Sequence, residues 1–343
     1  MKGIQIVKPG EIKLIDMEKP VITEHDNVLI RMTAAGICGS DVGIYHGTNA
    51  AAIYPRIIGH EMVGRVEAVG KHAAHLKPGD RVIVDQVTSC GHCYACRKGR
   101  GNVCADLKVR GVHIDGGYRE YIAVPERDCY LLPEGISDET AVMIEPATIA
   151  IQSCSRARLC EDDTLLIFGA GALGSSILKI ARLSGAKIIV ADIMENKLEE
   201  ALENGADFVI HSAKEDVVKR AKELTGGYGP TVSIDAACTK DSLLTLLQAT
   251  GNAGRVMTMG FSVEPAEVNQ FLITSKELDV RGSRLQNKKF QEAIELIQEG
   301  KLELSGSVSH TVPLEKAQEA FDFVDSKDPS IRKIVLTFEE NRS

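Results

Sequence analysis

The sequence has neither an excess of positive charge nor a long uninterrupted apolar run. Its 343 residues include 40 Lys and Arg against 48 Asp and Glu, a formal net charge of −8. Nucleic-acid binding depends on Lys and Arg that neutralise phosphates, so this balance argues against a nucleic acid as partner. The most apolar stretch, residues 165–181, is interrupted by glycines and by Lys179, which argues against a membrane span. We therefore expect a small-molecule substrate as the partner.

We expect no secretory signal in the first residues, because Lys8 and Pro9 interrupt their apolar run. We expect a cytoplasmic location, in which the cysteines stay reduced. Reduced cysteines that cluster in sequence point to a bound metal. Internal repeats and low-complexity segments are lacking too. A chain of this length suits two domains, since a single core stops growing at roughly 250–300 residues.

The pattern of short apolar runs changes along the chain. To about Tyr130, β-like runs are separated by Gly, Pro and other turn residues, which predicts a compact, mostly β unit. From about Thr164, apolar strands alternate with segments of helical period. This alternation predicts a doubly wound parallel sheet, so the sequence indicates an α/β protein with a mostly β unit and a Rossmann-type unit.

Four cysteines lie close together with the spacing C-x₂-C-x₂-C-x₇-C. They are Cys90, Cys93, Cys96 and Cys104. Four such thiolates predict a closed, tetrahedral structural zinc site with no open position for chemistry. The metal would contribute folding energy to a loop that has almost no apolar core of its own. An iron–sulfur cluster is the alternative, but the Cys-Pro ending of such runs is missing.

A glycine-rich loop follows the apolar run at residues 164–168 and precedes a helical pattern; it reads Gly169-Ala170-Gly171-Ala172-Leu173-Gly174. Such glycines let the backbone approach a pyrophosphate at a helix N-terminus. Asp192 ends the next strand, where a carboxylate accepts a hydrogen bond from a ribose 2′-OH and repels a 2′-phosphate. We expect NAD(H), bound by Gly169, Gly171, Leu173, Gly174 and Asp192. The alternative is a Rossmann-like unit that binds another nucleotide or none.

Cys38 and His60 offer a thiolate and an imidazole, which can share one Zn²⁺. Two ligands do not complete a site, so a third must come from elsewhere. His60 is followed directly by Glu61, and the dipeptide Glu145-Pro146 lies further along the chain.

Together these motifs resemble the zinc-dependent medium-chain dehydrogenase/reductase family. The matching features, in the family's order, are Cys38-Gly39-Ser40-Asp41, Gly59-His60-Glu61 with Gly64 and Gly70, the four-cysteine lobe, Gly116-Gly117-Tyr118-Arg119-Glu120-Tyr121, Glu145-Pro146 and the glycine loop. The resemblance implies a GroES-like catalytic domain from residues 1–147 and 282–343, with a structural zinc lobe at about 88–106. It further implies a Rossmann NAD-binding domain at 148–281 and a homodimer or homotetramer.

Within that family, Glu145-Pro146 resembles the sorbitol-dehydrogenase branch, where glutamate replaces the third cysteine ligand of alcohol dehydrogenases. The resemblance implies a catalytic zinc held by Cys38, His60 and an acid, with Glu61 and Glu145 as candidates. Either acid could bind, or the two could exchange during turnover. Asp41 would orient the His60 imidazole.

The mechanism that follows is a hypothesis. Zinc acts as a Lewis acid that lowers the pKa of a secondary alcohol, Ser40 accepts the proton, and hydride passes to the nicotinamide. Many family members carry a histidine five residues after the ligand cysteine, where this sequence has Gly43. His46 is a candidate replacement in the proton exit, and a path through a cofactor ribose hydroxyl is the alternative.

The segment from Gly282 to Phe290 resembles that of bacterial sugar-acid dehydrogenases and their starvation-sensing relatives. Its Arg284 could pair with a substrate carboxylate, or else contact a cofactor phosphate or a carboxylate of its own chain. The implied activity is NAD-dependent oxidation of a sugar acid or polyol, with L-galactonate or L-gulonate as leading substrates. The alternatives are a sorbitol, L-threonine or simple secondary-alcohol dehydrogenase and, from another class, a non-catalytic NAD-binding metabolic sensor.

Overall fold

The computed structural model describes residues 1–22, 27–261, 263–326, 328 and 330–338. The chain divides into two compact units. The first comprises Met1–Glu145, Phe290–Gly300 and Leu304–Ser343, and the second comprises Pro146–Lys289 and Lys301–Glu303. The sequence places the second junction near 282, whereas residues 283–289 group with the second unit. There the N–H of Ser283 donates to the carbonyl of Thr258 over 2.9 Å, which extends strand pairing past Gly282.

Short strands dominate the chain before residue 146. They are β1 (Lys2–Lys8), β2 (Glu11–Asp16), β3 (Asn27–Gly36), β4 (Arg56–Ile57), β5 (Glu61–Val69), β6 (Arg81–Val84), β7 (Val87–Thr88), β8 (Lys108–Val109), β9 (Tyr121–Pro125) and β10 (Cys129–Leu131). The helices are α1 (Gly39–Tyr45), α2 (Tyr94–Arg97), α3 (Asp138–Ala141) and α4 (Ile144–Ala157), and α4 contains the point where the chain passes to the second unit.

The second unit alternates strands and helices. Its strands are β11 (Thr164–Phe168), β12 (Lys187–Asp192), β13 (Phe208–His211), β14 (Val232–Asp235), β15 (Arg255–Thr258) and β16 (Asp279–Gly282). Its helices after α4 are α5 (Ala172–Ala181), α6 (Glu195–Glu203), α7 (Val217–Leu224), α8 (Ser242–Ala249) and α9 (Gln270–Thr274). The strands form one parallel sheet in the order β13-β12-β11-β14-β15-β16. This order confirms the predicted doubly wound sheet, whose central strands are buried on both faces.

A lysine caps one helix of this second unit. Lys276 Nζ donates to the carbonyls of Leu247, Gln248 and Thr250 over 2.9, 3.0 and 2.8 Å. These carbonyls lie at the C-terminal end of α8, where the helix leaves its last carbonyls without intrahelical donors. A cation at this end also interacts favourably with the helix dipole. Lys276 therefore has a structural role.

The last part of the chain returns to the first unit. It contains α10 (Phe290–Gln298), β17 (His310–Pro313), α11 (Ala317–Asp325) and β18 (Ile334–Thr337). The main sheet of the first unit runs β10-β6-β5-β3-β18-β17, and β9 also pairs with β3. Strand β18 is antiparallel to β3, with Val335 opposite Gly36. Among the residues that the structure describes, no helix is long and apolar enough to cross a membrane.

Candidate active site

The pairing of β3 with β5 brings two predicted metal ligands together. Gly36, the last residue of β3, lies opposite Glu61, the first residue of β5. Cys38 lies two residues after the end of β3 and is the N-cap of α1, while His60 immediately precedes β5. Because the ends of adjacent strands are neighbours, the antiparallel register places these two motifs side by side.

Cys38, His60 and Glu61 form a group that could hold a metal ion. One ligand atom from each lies within 4.8 Å of the others. Sulfur, nitrogen and oxygen ligands of one Zn²⁺ lie about 2.0–2.3 Å from the metal, so they are separated from one another by about 3–4 Å. Thiolate, imidazole and carboxylate are all ligands that zinc accepts. The residues present therefore fit a zinc ion in donor type, and their ligand atoms are close enough together for one ion to be held among them.

Contacts around His60 distinguish its two ring nitrogens. Nδ1 lies 3.4 Å from Asp41 Oδ1, and this approach is not aligned as a hydrogen bond. Nε2 lies 3.3 Å from the hydroxyl of Ser40. Ligating histidines usually turn one nitrogen to a carboxylate and the other to the metal. This arrangement assigns Nδ1 to Asp41 and leaves Nε2 for the metal.

The buried Asp41 carboxylate is held by several donors. It accepts the N–H of Cys38 at 3.0 Å, the N–H of Gly59 at 3.2 Å and the hydroxyl of Tyr118 at 3.2 Å. The Tyr118 hydroxyl also lies 2.9 Å from the carbonyl of Gly36. Asp41 is fully buried, so these bonds compensate for its desolvation. They fix the carboxylate that faces His60.

The four cysteines of the predicted lobe also converge. Cys90 Sγ lies 4.0 Å from Cys96 Sγ, and Cys93 Sγ lies 3.9 Å from Cys104 Sγ. In a tetrahedron with Zn–S bonds of about 2.3 Å, the sulfurs are about 3.8 Å apart. Backbone N–H groups of Ala105 and Cys96 lower the pKa of Cys93 to about 6, which favours the thiolate that binds metal. The lobe therefore fits a second, closed zinc site.

The glycine loop of the second unit lies between β11 and α5. Gly171 is the N-cap of α5, and apart from its chain neighbours no described residue comes within 4 Å of where its Cβ would be, so the loop is open to a ligand at this point. At Gly174, a Cβ would lie 1.9 Å from the carbonyl oxygen of Gly169. Only glycine permits this close turn into the helix. Leu173, between them, is half-buried.

Asp192 lies beside this loop at the end of β12. Its Oδ2 accepts the N–H of Ala170 over 2.6 Å, and its Oδ1 accepts the N–H of Met194 over 2.9 Å. A carboxylate has about four acceptor positions, so both oxygens keep capacity for further donors. The structure thus joins the predicted acidic residue to the predicted phosphate-binding loop.

Comparisons with known proteins agree with this geometry. The family model for the alcohol dehydrogenase GroES-like domain matches residues 24–134, and that for zinc-binding dehydrogenases matches residues 172–299. The starvation-sensing protein RspB of Escherichia coli K12 is 40% identical over 342 residues, which cover 99% of this chain and 100% of that protein. The chain belongs to the zinc-dependent medium-chain dehydrogenase family.

Two further members of this family are similar over nearly the whole chain. Sorbitol dehydrogenase of Bacillus subtilis is 31% identical over 328 residues, which cover 94% of this chain and 93% of that protein. The crystal structure of the alcohol dehydrogenase rspB from E. coli CFT073 in complex with NADH superposes with a TM-score of 0.93 at 39% identity, covering 98% of this chain and 99% of that one. This medium-chain dehydrogenase is therefore an oxidoreductase with GroES-like and Rossmann-type units.

The two candidate acids lie in different surroundings in this medium-chain dehydrogenase. Glu61 belongs to the metal group with Cys38 and His60, whereas Glu145 is not part of it. The Glu145 carboxylate instead accepts a hydrogen bond from the buried Gln86 amide. Burial and the nearby charge of Glu61 raise the pKa of Glu145 to about 8, against the opposing effect of His60. Glu61 is therefore the better placed third ligand. Glu145 is also buried, and it lies close enough to Glu61 and His60 for their charges to affect its pKa.

Lys333 contacts Glu61 and is absent from the sequence prediction. Lys333 Nζ lies 2.6 Å from Oε1 and 2.8 Å from Oε2 of Glu61, and both side chains are buried. Nothing in the local sequence around Lys333 indicates this contact, because it depends on β18 pairing with β3. The roles of Tyr118 and Gln86 were also missed, although Tyr118 lies in a motif that matches the family.

His46 and Arg284 were predicted for the proton exit and for substrate binding. His46 Nε2 lies 2.9 Å from Asp325 Oδ1, and both side chains are partly exposed. Arg284 is half-buried, with its guanidinium 5.8 Å from the centre of the Phe261 ring. Proton exit through His46 and substrate binding by Arg284 therefore stay predictions.

Proposed function

We propose that this dehydrogenase uses Zn²⁺ and NAD⁺ to oxidise a secondary alcohol of a sugar acid to a ketone. A hexonate such as L-galactonate or L-gulonate is the proposed substrate. The observation that carries the proposal is the convergence of Cys38, His60 and Glu61 beside the hydroxyl of Ser40. In the net reaction, the alcohol and NAD⁺ give the ketone, NADH and one proton.

The residues of the first unit have distinct tasks in this proposal. Cys38, His60 and Glu61 hold the zinc, which when bound supplies a Lewis acid that lowers the pKa of the substrate hydroxyl. Ser40 accepts the proton of that hydroxyl and passes its own hydroxyl proton on toward solvent, which receives the one proton of the net reaction. Its Oγ lies 3.3 Å from the proposed ligand atom of His60. Asp41 keeps the imidazole oriented, so that Nε2 stays directed at the metal.

The second unit holds the cofactor in this proposal. The NADH-bound relative and the open N-terminus of α5 support a pyrophosphate at Gly171. NAD⁺ supplies the hydride acceptor. Asp192 accepts hydrogen bonds from the adenosine ribose and disfavours the 2′-phosphate of NADP.

Asp192→Asn is expected to reduce the preference for NAD over NADP by about tenfold or more, because the negative charge that repels a 2′-phosphate is removed. The measurement is the ratio of kcat/KM for NAD⁺ to that for NADP⁺. A ratio is required because Asp192 also holds the N–H groups of Ala170 and Met194. The control is Glu203→Gln at the end of α6, which should leave the ratio unchanged. An unchanged ratio in the Asp192 variant would refute the role of its carboxylate.

The choice of a sugar acid depends on Arg284. A guanidinium pairs bidentately with a carboxylate, which a hexonate has and a plain polyol lacks. The sorbitol dehydrogenase relative supports a polyol instead, and the relative named as a starvation-sensing protein supports a sensor. These two possibilities are outcomes of the substrate test.

That test is NADH formation at 340 nm by the zinc-loaded protein with L-galactonate, L-gulonate, sorbitol and L-threonine. The proposal expects the highest kcat/KM with a hexonate. Arg284→Gln should then raise KM for the hexonate by about tenfold or more and leave sorbitol turnover unchanged, because one charged pair is lost. Arg281→Gln is the matched control, since Arg281 bonds to Asp279 and the carbonyl of Arg156. Highest activity with sorbitol or threonine would refute the sugar-acid assignment, and no turnover would favour the sensor.

A further inference from the structure

A buried ion pair joins the end of the chain to the metal group. Lys333 immediately precedes β18 and is 5% exposed, while Glu61 is fully buried. The ammonium contacts both carboxylate oxygens, at 2.6 and 2.8 Å, and also donates to the carbonyl of Ile37 over 3.2 Å. Lys333 thus contacts one proposed zinc ligand, Glu61, and the carbonyl of the residue that precedes another, Cys38.

The Glu61 carboxylate lies against the backbone of Gly36. Gly36 lies opposite Glu61 in the β3–β5 register, and a Cβ at residue 36 would be 1.8 Å from Glu61 Oε2. The carboxylate therefore occupies the space that the side chain of residue 36 would take. This location therefore requires glycine at residue 36, and Lys333 contacts both carboxylate oxygens there.

Two cations would act on this one carboxylate when zinc is bound. A carboxylate that already donates electron density to an ammonium is a weaker ligand for a metal, because the same negative charge attracts both. Without Lys333, Glu61 would be a buried anion that has lost its ammonium partner, and the metal would compensate more of its charge.

We propose that Lys333 is a positioning residue that shares the Glu61 carboxylate with the catalytic zinc and so weakens Glu61 as a zinc ligand. The proposal rests on the proposed zinc site at Cys38, His60 and Glu61. Lys333 keeps this ligand replaceable, so that the metal can accept a substrate oxygen without being held too tightly by its protein ligands.

The rate of zinc release to a chromogenic chelator tests the sharing of Glu61. Two zinc sites give two kinetic phases, and the phase that is lost in Cys38→Ser belongs to the catalytic site. Lys333→Met should slow that phase, and tighten zinc binding, by about tenfold or more, which is the range in which neighbours of metal ligands change affinity. Lys333→Arg keeps the positive charge and should behave like the unchanged protein. Lys276→Met removes another partly buried lysine, from the cap of α8, and should leave zinc release unaltered.

A second comparison uses the Glu61→Gln background, in which the shared charge is absent. Glu61→Gln/Lys333→Met has no buried ion at either position, so it is expected to fold. The gain in zinc affinity on removing Lys333 should disappear there. The same gain in that background would show simple repulsion between two cations and would overturn the proposal.

The outcomes separate this inference from the proposed function. If Lys333→Met and Lys333→Arg both release zinc at the rate of the unchanged protein or faster, Lys333 does not share Glu61 with the metal. The proposed zinc site is unaffected by that result. If Cys38→Ser removes no zinc phase, the zinc site itself is wrong. Zinc release is measured without substrate, so neither result depends on the identity of the alcohol.

Discussion

Cys38→Ser is expected to abolish one zinc site and to lower kcat/KM by at least about 10³. A Lewis acid contributes several kcal/mol to such a reaction, and each 1.36 kcal/mol is a factor of ten in rate. Serine keeps the size of the side chain but does not supply the soft thiolate that zinc prefers. The measurements are zinc content per chain and steady-state oxidation of the best substrate of the panel.

The control for this variant is Cys160→Ser, which replaces an exposed thiol in the second unit. It should keep full zinc content and full activity. NADH binding, measured by fluorescence, should be the same in both variants because the glycine loop and Asp192 are untouched. A Cys38→Ser protein with undiminished zinc content would contradict the metal group at Cys38, His60 and Glu61.

Cys104→Ser is expected to unfold the four-cysteine lobe while the two sheets stay folded. Zinc binding contributes about 10–16 kcal/mol to the folding of small zinc domains, and little apolar surface is available here to replace it. Most of the segment from 90 to 103 is exposed or half-buried. The protection of backbone amides in this segment against hydrogen exchange should fall by at least about a hundredfold. The zinc content should fall by one ion per chain.

Cys129→Ser is a suitable comparison for the lobe, because Cys129 lies in β10 of the same unit and outside the four-cysteine cluster. It removes a thiol that packs against the core of the main sheet. Some loss of global stability is expected, with normal zinc content and normal protection of the lobe. Full protection of the lobe in Cys104→Ser would mean that the cluster does not depend on a metal.

Features that depend on local sequence were predictable. The spacing of Cys90, Cys93, Cys96 and Cys104 confines four sulfurs to one short loop, whatever the rest of the chain does. The alternation of strands and helices after Thr164 likewise predicts the parallel sheet, because each unit of such a sheet is local. The Asp192 contact with the glycine loop follows from the pairing of adjacent β11 and β12.

Features that depend on distant pairing were not predictable. Lys333 is 272 residues from Glu61, and it is one of 40 basic residues without a motif of its own. Gln86 reaches Glu145 across 59 residues in the same way. The choice between Glu61 and Glu145 as the third ligand also depends on the folded structure, since both acids are next to motifs of the same family. Their burial and partners differ only in the folded sheet.

The position of β18 has a consequence for biosynthesis. Domains generally fold as units during translation, with N-terminal ones first. Here the first unit lacks the strand that lies between β3 and β17 until the ribosome has made residues 334–337. The nearly contiguous second unit can fold earlier, although it begins later in the chain. In a nascent chain, the end of β3 at residues 34–36, which pairs with β18, keeps an unpaired edge, and such edges are prone to aggregate. The contact between Glu61 and Lys333 can therefore form only after the 272 residues that follow Glu61 have been synthesised.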